Sequence, residues 1–255
     1  MQMKGKDRLP QVLMYHSISQ PEVDQDPLCT SPERFGAQML YLKRHSLRGV
    51  SMRELYLALN AGEAAGLVGV TFDDGYEDFL DAAVPTLEKL GFSATVFVVA
   101  GMLGSENYWE HGGGPRPRLK LLGADGVREV SDRGMEIGSH TVTHPRLSGL
   151  DSETLIHEVE DSRQMLSEIV NAPVEGFSYP YGDLDGPAVR AARGAGYVYA
   201  VATKKQVEGG LHDWPRTYIG EKDSPLRLGV KLKASPILTW WRHRALVNQN
   251  EPSGT

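Results

Sequence analysis

The sequence places two carboxylates directly after a short apolar segment and follows them with a glycine, in the run VTFDDGY at residues 70–76. Neighbouring side chains on a strand point to opposite faces, so Asp73 and Asp74 serve one site only if the chain leaves the strand there, which Gly75 permits. A divalent cation bound to one carboxylate would keep the other ionised and basic. An ordinary surface turn is the alternative, because Asp-Asp-Gly is common turn chemistry.

Two histidines four residues apart form a second candidate group. Residues 135–145 read MEIGSHTVTHP, which places His140 and His144 after another short apolar segment. That spacing suits two imidazole ligands on one helical turn or in a tight loop, and Pro145 disfavours a long helix beyond His144. Two partly exposed histidines bonded to backbone groups are the alternative.

Asp74, His140 and His144 together offer the ligand types of a catalytic zinc-like ion with an open coordination position. Such an ion would lower the pKa of its water from about 15.7 towards 7, and Asp73 could take the water's proton. This chemistry would hydrolyse an amide or ester without a serine or cysteine nucleophile. Zinc is the expected divalent ion, with nickel, cobalt and iron as alternatives, since nitrogen and carboxylate ligands accept all four.

A third candidate element is the run FSYPYGD at residues 177–183. Pro180 fixes the backbone and Gly182 lets it turn sharply, so this loop can present a backbone amide and aromatic faces to a ligand. A rigid surface turn is the alternative.

The stretch NYWEHGGGP at residues 107–115 follows the strand after the aspartate pair and interrupts the alternation of strands and helices. It could overhang the site, with Trp109 stacked on a ring of the ligand and the glycines giving mobility. A flexible excursion without ligand contact is the alternative.

These motifs resemble those of the polysaccharide deacetylases with a NodB homology domain, carbohydrate esterase family 4. The matching segments are residues 71–76, 139–145 and 179–182, in the family's order, and the likeness extends from about residue 11 to about residue 220. The resemblance implies a distorted (β/α) barrel of the α/β class with its site at the carboxyl ends of the strands. It also implies removal of an acetyl group from an N-acetylated sugar or oligosaccharide.

The same resemblance implies roles for individual residues. Asp73 would be the catalytic base, and Asp74, His140 and His144 would hold the metal. The backbone amide of Tyr179 would help to bind the oxyanion. The predicted substrate and oxyanion residues are Tyr179, Pro180, Tyr181, Trp109 and Arg216.

The third motif departs from the family pattern at its first position. The family has an arginine there that steers the catalytic base, and this chain has Ser178. Arg216, in the run DWPR at 213–216, matches the region of the family's fourth motif and could contribute. A surface arginine is the alternative.

The general acid is the other departure, because no Leu-x-His element follows Arg216. The chain instead opens with VLMYHS at residues 12–17, a short apolar strand that ends in His16. This resembles a subset of the family, including biofilm poly-N-acetylglucosamine deacetylases, in which the last motif has moved to the amino terminus. We assign His16 as the general acid, since imidazolium forms readily near neutral pH. A histidine that caps the first strand is the alternative.

The spacing of apolar residues predicts the strands and helices that position these site residues. Residues 67–72 and 93–100 read as buried strands with a helix containing Pro85–Leu90 between them. A helix is predicted from the N-cap Asp151 to Asn171, and helix 187–195 is followed by strand 197–203. The face predicted to be solvated on the Asp151 helix contains Glu153, Glu158, Glu160 and Arg163.

Composition is typical of one globular enzyme domain. With 255 residues, 40% of them apolar and 24% charged, we expect a single catalytic domain over 1–246 and a disordered polar tail over 247–255. No apolar run reaches the 18 residues of a membrane span, and no apolar leader is visible, so we expect a cytoplasmic protein unless a leader was trimmed. The net charge of −6 argues against nonspecific nucleic-acid binding. Cys29 is the only cysteine, which excludes an internal disulfide.

Three functions fit these observations. The preferred one is a metal-dependent sugar N-deacetylase. The second keeps the metal site but acts on a small-molecule or natural-product amide. The third is an inactive glycan-binding module, for which Ser178 and the missing carboxyl-terminal histidine are the support.

Overall fold

The computed structural model describes residues 10–20, 28–109, 118–203 and 210–233. The predicted tail at 247–255 and the glycines at 112–114 lie outside these ranges. Within them, no helix combines the length and the apolar character that crossing a membrane requires.

Parallel strands form a sheet that curls into a nearly closed barrel. The strands are β1 (Gln11–Tyr15), β2 (Arg48–Val50), β3 (Leu67–Phe72), β4 (Thr95–Val98), β5 (Glu136–Ser139), β6 (Gly176–Ser178), β7 (Tyr199–Ala202), β8 (Trp214–Pro215) and β9 (Thr217–Tyr218). Their order is β8-β7-β6-β5-β4-β3-β1-β9, and β2 pairs with the first half of β3. The predicted distorted (β/α) barrel is confirmed.

The barrel closes through a strand that is interrupted at one residue. β8 pairs with β7 and β9 pairs with β1, while the amide of Arg216 between them donates to the Ala202 carbonyl at 2.9 Å. Because successive side chains of a strand alternate, Trp214, Arg216 and Tyr218 share one face. Arg216 therefore enters the barrel from the segment that joins its two edges.

Helices cover the outside of the barrel between successive strands. They are α1 (Pro32–Arg44), α2 (Met52–Ala61), α3 (Val84–Leu90), α4 (Ala124–Asp132), α5 (Ser152–Ile156), α6 (Ser162–Val170) and α7 (Gly186–Gly194), and residues 225–233 are also helical. Two π-helical segments, Phe79–Ala83 and His157–Asp161, precede α3 and join α5 to α6. The side chains of Ser31, Ser51, Asp151 and Asp185 each accept a hydrogen bond from the backbone of the first turn that follows them.

An aromatic cluster anchors α1 against the two strands that lead into the site. Tyr15 of β1, Phe72 of β3 and Phe35 of α1 are fully buried, and their ring centroids lie 5.3 to 5.6 Å apart. Such aromatic pairs add about 0.5–1.5 kcal/mol each beyond the apolar area that they bury. The cluster fixes the ends of β1 and β3 relative to each other.

Large aromatic side chains also fill the barrel interior, opposite glycines that leave them room. The Phe97 ring occupies the space that a Cβ on Gly138 would need, and Tyr199 occupies the corresponding space at Gly176. The guanidinium of Arg216 lies over the Phe97 ring, 5.6 Å from its centroid. The polar residues of the site are thus packed directly against an apolar interior.

Candidate active site

A cavity of about 380 Å³ opens at the carboxyl ends of the strands. It is lined by Met14, His16, Leu28, Asp73, Asp74, His140, His144, Arg146, Tyr181, Gly182, Thr203 and Tyr218. In barrels of parallel strands the loops at this end carry the functional groups. Five of the residues predicted from sequence to act in metal binding or catalysis meet here, and Tyr181 lines the same space.

Three predicted metal ligands converge in this cavity. Asp74, His140 and His144 each offer a ligand atom, and these atoms lie within 4.8 Å of one another. Oδ1 of Asp74 is 3.5 Å from Nε2 of His140 and 3.3 Å from Nε2 of His144. All three side chains are buried. One cation could therefore contact one atom of each residue.

The aspartates share a site because the chain leaves the strand between them. Asp74 has φ 72° and Gly75 has φ 75°, both in the left-handed region. That conformation costs free energy for a residue with a side chain, although aspartate adopts it more readily than most, and such residues cluster at active sites. A Cβ on Gly75 would also lie 3.2 Å from the Val98 backbone. The predicted exit from the strand at this glycine is what the structure has.

The two histidines lie in a tight loop rather than on a helical turn. His140 directly follows β5, and both Thr141 and His144 have positive φ, at 74° and 65°. The amide of His144 donates to the Thr141 hydroxyl at 2.9 Å. The loop thus folds back on itself and brings His144 beside His140, with ring centroids 4.9 Å apart.

Glu158 fastens this loop, contrary to the prediction that it lies on a solvated face. Its carboxylate accepts hydrogen bonds from the amides of Val142 and Thr143 at 2.8 and 2.9 Å and from the Thr143 hydroxyl at 2.6 Å. Glu158 lies three residues after the buried Leu155 and next to the buried Val159, within the π-helical segment His157–Asp161, so it is on the flank of the buried helix face. Its charge predicts solvent exposure, but its hydrogen bonds to the histidine loop compensate for its burial.

We expect Glu158→Ala to weaken zinc binding by about 10- to 100-fold, because partners that orient metal ligands contribute on that scale. Glu158→Gln retains an acceptor for the loop amides and should remain within a few-fold of wild type. Titration calorimetry of the metal-free protein would measure this, with Glu160→Ala as a control from the same π turn at an exposed position. Unchanged zinc affinity in Glu158→Ala would contradict the role.

His140 is held in the orientation that a metal ligand needs. Its Nδ1 lies 2.7 Å from the Ser178 carbonyl, so Nδ1 carries the hydrogen and Nε2 is left for the cation. Burial favours a low pKa for His140, but the charges of Asp73 and Asp74 and the hydrogen bonds outweigh it and raise the pKa. The pocket therefore favours positive charge at this point.

Asp73 is held by Arg216 in a buried bidentate ion pair. Nη1 donates to Oδ1 at 2.7 Å and Nη2 donates to Oδ2 at 2.6 Å, and both side chains are at most 5% exposed. Parallel donation of this kind fixes the carboxylate plane as well as its position. This contact with Asp73 supports the prediction that Arg216 contributes to the site. The alternative of a surface arginine is wrong, because the side chain is buried.

Arg216 also takes the place of the arginine that the family's third motif has where this chain has Ser178. Arg216 also donates to the Ser178 hydroxyl at 2.9 Å and to the Thr71 hydroxyl at 3.1 Å, and Ser178 donates to Asp73 at 3.2 Å. Burial would raise the pKa of Asp73, but the charges of Arg216 and His140 and the Arg216 hydrogen bonds lower it overall. Asp73 therefore stays ionised to lower pH than an ordinary carboxylate, as a general base requires.

His16 faces the same cavity from the end of β1. The chain after it is held by Asp78, which accepts from the Ser17 hydroxyl at 2.6 Å and from the Ile18 amide at 2.9 Å. Burial lowers the pKa of His16, and this effect exceeds the opposing influence of Asp74 and Asp73. Asp78 follows the aspartate pair in sequence, so one short segment supplies Asp73 and Asp74 and positions His16.

The assignment of Tyr179 to the oxyanion is corrected by the structure. Its amide donates to the Val201 carbonyl at 3.3 Å within the sheet, and its fully buried phenol donates to the His212 carbonyl at 2.9 Å. Tyr179 does not line the cavity, whereas Tyr181, beyond the buried Pro180, does. The backbone pairing with β7 thus extends one residue beyond the end of β6 at Ser178.

Aromatic rings surround His144 on two sides. Trp109 stacks on the imidazole with centroids 4.3 Å apart, and Tyr181 meets it edge-on at 4.8 Å. The contact of Trp109 is with a predicted metal ligand, and its stacking on a sugar ring stays a prediction. Of the two rings, Tyr181 also lines the cavity.

The donor set fits a divalent cation. Two neutral nitrogens and one carboxylate oxygen are the ligands that catalytic zinc uses, and three protein ligands leave a position for water or substrate. The raised pKa of His140 indicates excess negative charge that a cation would neutralise. The carboxylate and the two imidazoles do not distinguish zinc from nickel, cobalt or iron.

Known proteins are similar to this chain over much of its length. The profile of the polysaccharide deacetylase family matches residues 61–200. The Bacillus subtilis protein YxkH, named for that family, is 29% identical over 199 residues, which cover 77% of this chain and 65% of the relative. The poly-β-1,6-N-acetyl-D-glucosamine N-deacetylase of Staphylococcus aureus is 24% identical over 178 residues, 69% of this chain and 61% of the relative. The chain thus spans slightly less than two thirds of each of these relatives.

Solved structures share the barrel. A Streptococcus pyogenes deacetylase, PplD, in complex with acetate is 27% identical with a TM-score of 0.75, and the match covers 88% of this chain and 97% of the other. IcaB from Ammonifex degensii has a TM-score of 0.74 at 23% identity, over 89% of this chain and 97% of the other, and supports the fold alone.

Proposed function

Because the chain belongs to the polysaccharide deacetylase family, we propose that it is a metal-dependent hydrolase that removes N-acetyl groups from an amino sugar in a glycan or glycoconjugate. The observation that carries the proposal is the pairing of two groups in one cavity. A three-ligand cluster of Asp74, His140 and His144 lies beside a carboxylate, Asp73, that Arg216 holds ionised. Amide hydrolysis needs both an electrophilic centre and a base.

Asp74, His140 and His144 would hold the metal. A divalent ion there would supply Lewis acidity towards the acetamide carbonyl and lower the pKa of a bound water towards about 7. Zinc is our first choice. Glu158 and the Ser178 carbonyl keep the two histidines in the required orientation.

Asp73 accepts the proton of the attacking water, since its carboxylate is ionised and fixed in plane by Arg216. His16, which lines the same cavity, protonates the departing amine. Its lowered pKa makes the imidazolium a stronger acid, which favours proton transfer to the leaving group. Tyr181 borders the space that the acetyl group would occupy.

N-acetylglucosamine within an oligosaccharide is the proposed substrate. Tyr181 offers an aromatic border for a sugar, Trp109 stacks on His144 of the same site, and the cavity of about 380 Å³ lies within the range of ligand pockets. A poly-N-acetylglucosamine deacetylase among the relatives supports this sugar. Ser178 and the missing carboxyl-terminal histidine no longer favour an inactive module. Arg216 takes the place of the missing arginine, and His16 faces the cavity. The cellular compartment remains a prediction from sequence.

Acetate release from N-acetylglucosamine oligosaccharides would test the function. We expect release by protein reconstituted with zinc, loss after chelation, and recovery with zinc, nickel, cobalt or iron. His144→Ala should lose both activity and stoichiometric metal in elemental analysis. Glycan binding with no acetate release under any of these metals would refute the proposal and favour a binding module.

A further inference from the structure

Arg146 places a cation on the rim of the catalytic cavity. It is exposed and lines the same space as His16, Asp73 and His144. Its guanidinium carbon lies over the Tyr181 ring, 4.3 Å from the centroid. The proposed mechanism assigns no task to this charge.

Within the described part of the chain, no carboxylate lies within 4.0 Å of the Arg146 guanidinium. Most other described arginines have such a partner, namely Arg34, Arg48, Arg53, Arg128, Arg133, Arg216 and Arg227. Two acidic residues of the adjoining loop are engaged elsewhere. Asp183 accepts from the Ser148 hydroxyl at 2.5 Å, and Asp185 accepts from the Gly149 and Ala188 amides at 3.2 and 2.9 Å. The charge of Arg146 is therefore available to a ligand.

The stack on Tyr181 orders the guanidinium before any ligand arrives. The Tyr181 ring in turn packs edge-on against His144 at 4.8 Å, so Arg146 lies two ring contacts from a proposed metal ligand. A planar guanidinium offers paired donors that match a carboxylate or a phosphate, and stacking on an aromatic face leaves those donors accessible at its edge.

Negative charge inside the cavity does not oppose an incoming anion. Asp73 is neutralised by Arg216, and Asp74 would be neutralised by the metal. We propose that Arg146 binds an anionic group of the substrate, so that the enzyme prefers an N-acetylated sugar that carries or adjoins a carboxylate or phosphate. This inference rests on the proposed function of the same cavity.

Rates on matched neutral and anionic substrates would test it. The substrates are chitooligosaccharides, hyaluronan oligosaccharides in which a uronic acid adjoins the N-acetylglucosamine, and N-acetylglucosamine 6-phosphate. We expect wild type to prefer an anionic substrate. Arg146→Gln should lower kcat/KM for it by about 10- to 100-fold, as for loss of a charged hydrogen bond, and leave the neutral substrate nearly unchanged. Arg190→Gln, an exposed arginine of α7 outside the cavity, is the control.

The two anionic substrates separate a carboxylate source from a phosphate source. Raising the salt concentration should reduce the preference in wild type and have little effect in Arg146→Gln. Equal preference in wild type and Arg146→Gln, or equal losses on all substrates, would overturn the inference while leaving deacetylation intact. If no substrate releases acetate, the proposed function fails, and calorimetric binding of the same oligosaccharides still decides the role of Arg146. Binding of the anionic oligosaccharides that is no tighter to wild type than to Arg146→Gln would reject it.

Discussion

We expect Asp73→Asn to lower kcat for acetate release by about 10²- to 10⁴-fold while metal affinity stays within a few-fold of wild type. Asparagine keeps the shape of the side chain and still accepts from Arg216, but it cannot take up a proton at neutral pH. The base is lost and the ligand cluster of Asp74, His140 and His144 is retained. Steady-state acetate assays and zinc titration on the same preparation would measure the two effects separately.

Two further variants sharpen that comparison. Ser178→Ala removes one hydrogen bond to Asp73 but leaves the carboxylate and Arg216 in place, so its activity should fall far less. Asp74→Asn alters the neighbouring carboxylate and should lose metal instead, with partial recovery of activity at high zinc concentration. Near-native turnover in Asp73→Asn, or recovery of that variant by added zinc, would show that another group is the base.

Local sequence was sufficient for the parts of the site that lie within one loop. The predicted strand at 67–72 is β3, and the glycine after the aspartate pair turns the chain where alternation alone would separate the two carboxylates. The histidine pair was likewise recognised from spacing. In both cases the members of the pair lie within five residues of each other, so a short pattern identifies them, whereas the Ser178 carbonyl and Glu158 that orient the histidines lie outside that pattern.

Contacts between segments that are distant in sequence cannot be predicted from local patterns. Arg216 reaches Asp73 only because β8 and β9 close the barrel, and no pattern in residues 213–218 encodes that closure. The charge of Glu158 predicts solvent exposure, but its partners Val142 and Thr143 lie in another segment, which no pattern within the helix identifies. The amide of Tyr179 bonds to the Val201 carbonyl of β7, a contact between distant segments that the local motif does not encode.

Arg216→Met should be the most damaging single change, because it leaves the Asp73 carboxylate buried without its cation. Breaking a buried ion pair from one side typically costs about 3–5 kcal/mol of unfolding free energy. Arg216 and the Asp73 side chain are at most 5% exposed, so solvent cannot substitute for the lost donors. Urea unfolding would measure the loss of stability, and Arg216→Lys, which keeps a charge but not the paired donors, should fall between the variant and wild type.

The pH dependence of Arg216→Met should change in a defined direction. In wild type, Arg216 contributes to holding the pKa of Asp73 below its ordinary value, so the base form persists into acid and is lost only as pH falls through that lowered pKa. Without the guanidinium, the effect of burial prevails and the Asp73 pKa rises. The acid limb of kcat/KM should therefore move to higher pH, and activity should fall most steeply at low pH.

The double variant Asp73→Asn/Arg216→Met tests whether the stability lost in Arg216→Met comes from the ion pair with Asp73 or from the other contacts of Arg216. If the cost of Arg216→Met is the stranded carboxylate, neutralising Asp73 should restore much of the unfolding free energy, and the double variant should be more stable than Arg216→Met alone. Activity should stay low, since no base is present. Additive losses of stability in the cycle would mean that Arg216 stabilises the barrel through its packing against Phe97 and its bonds to Thr71 and Ser178 rather than through Asp73.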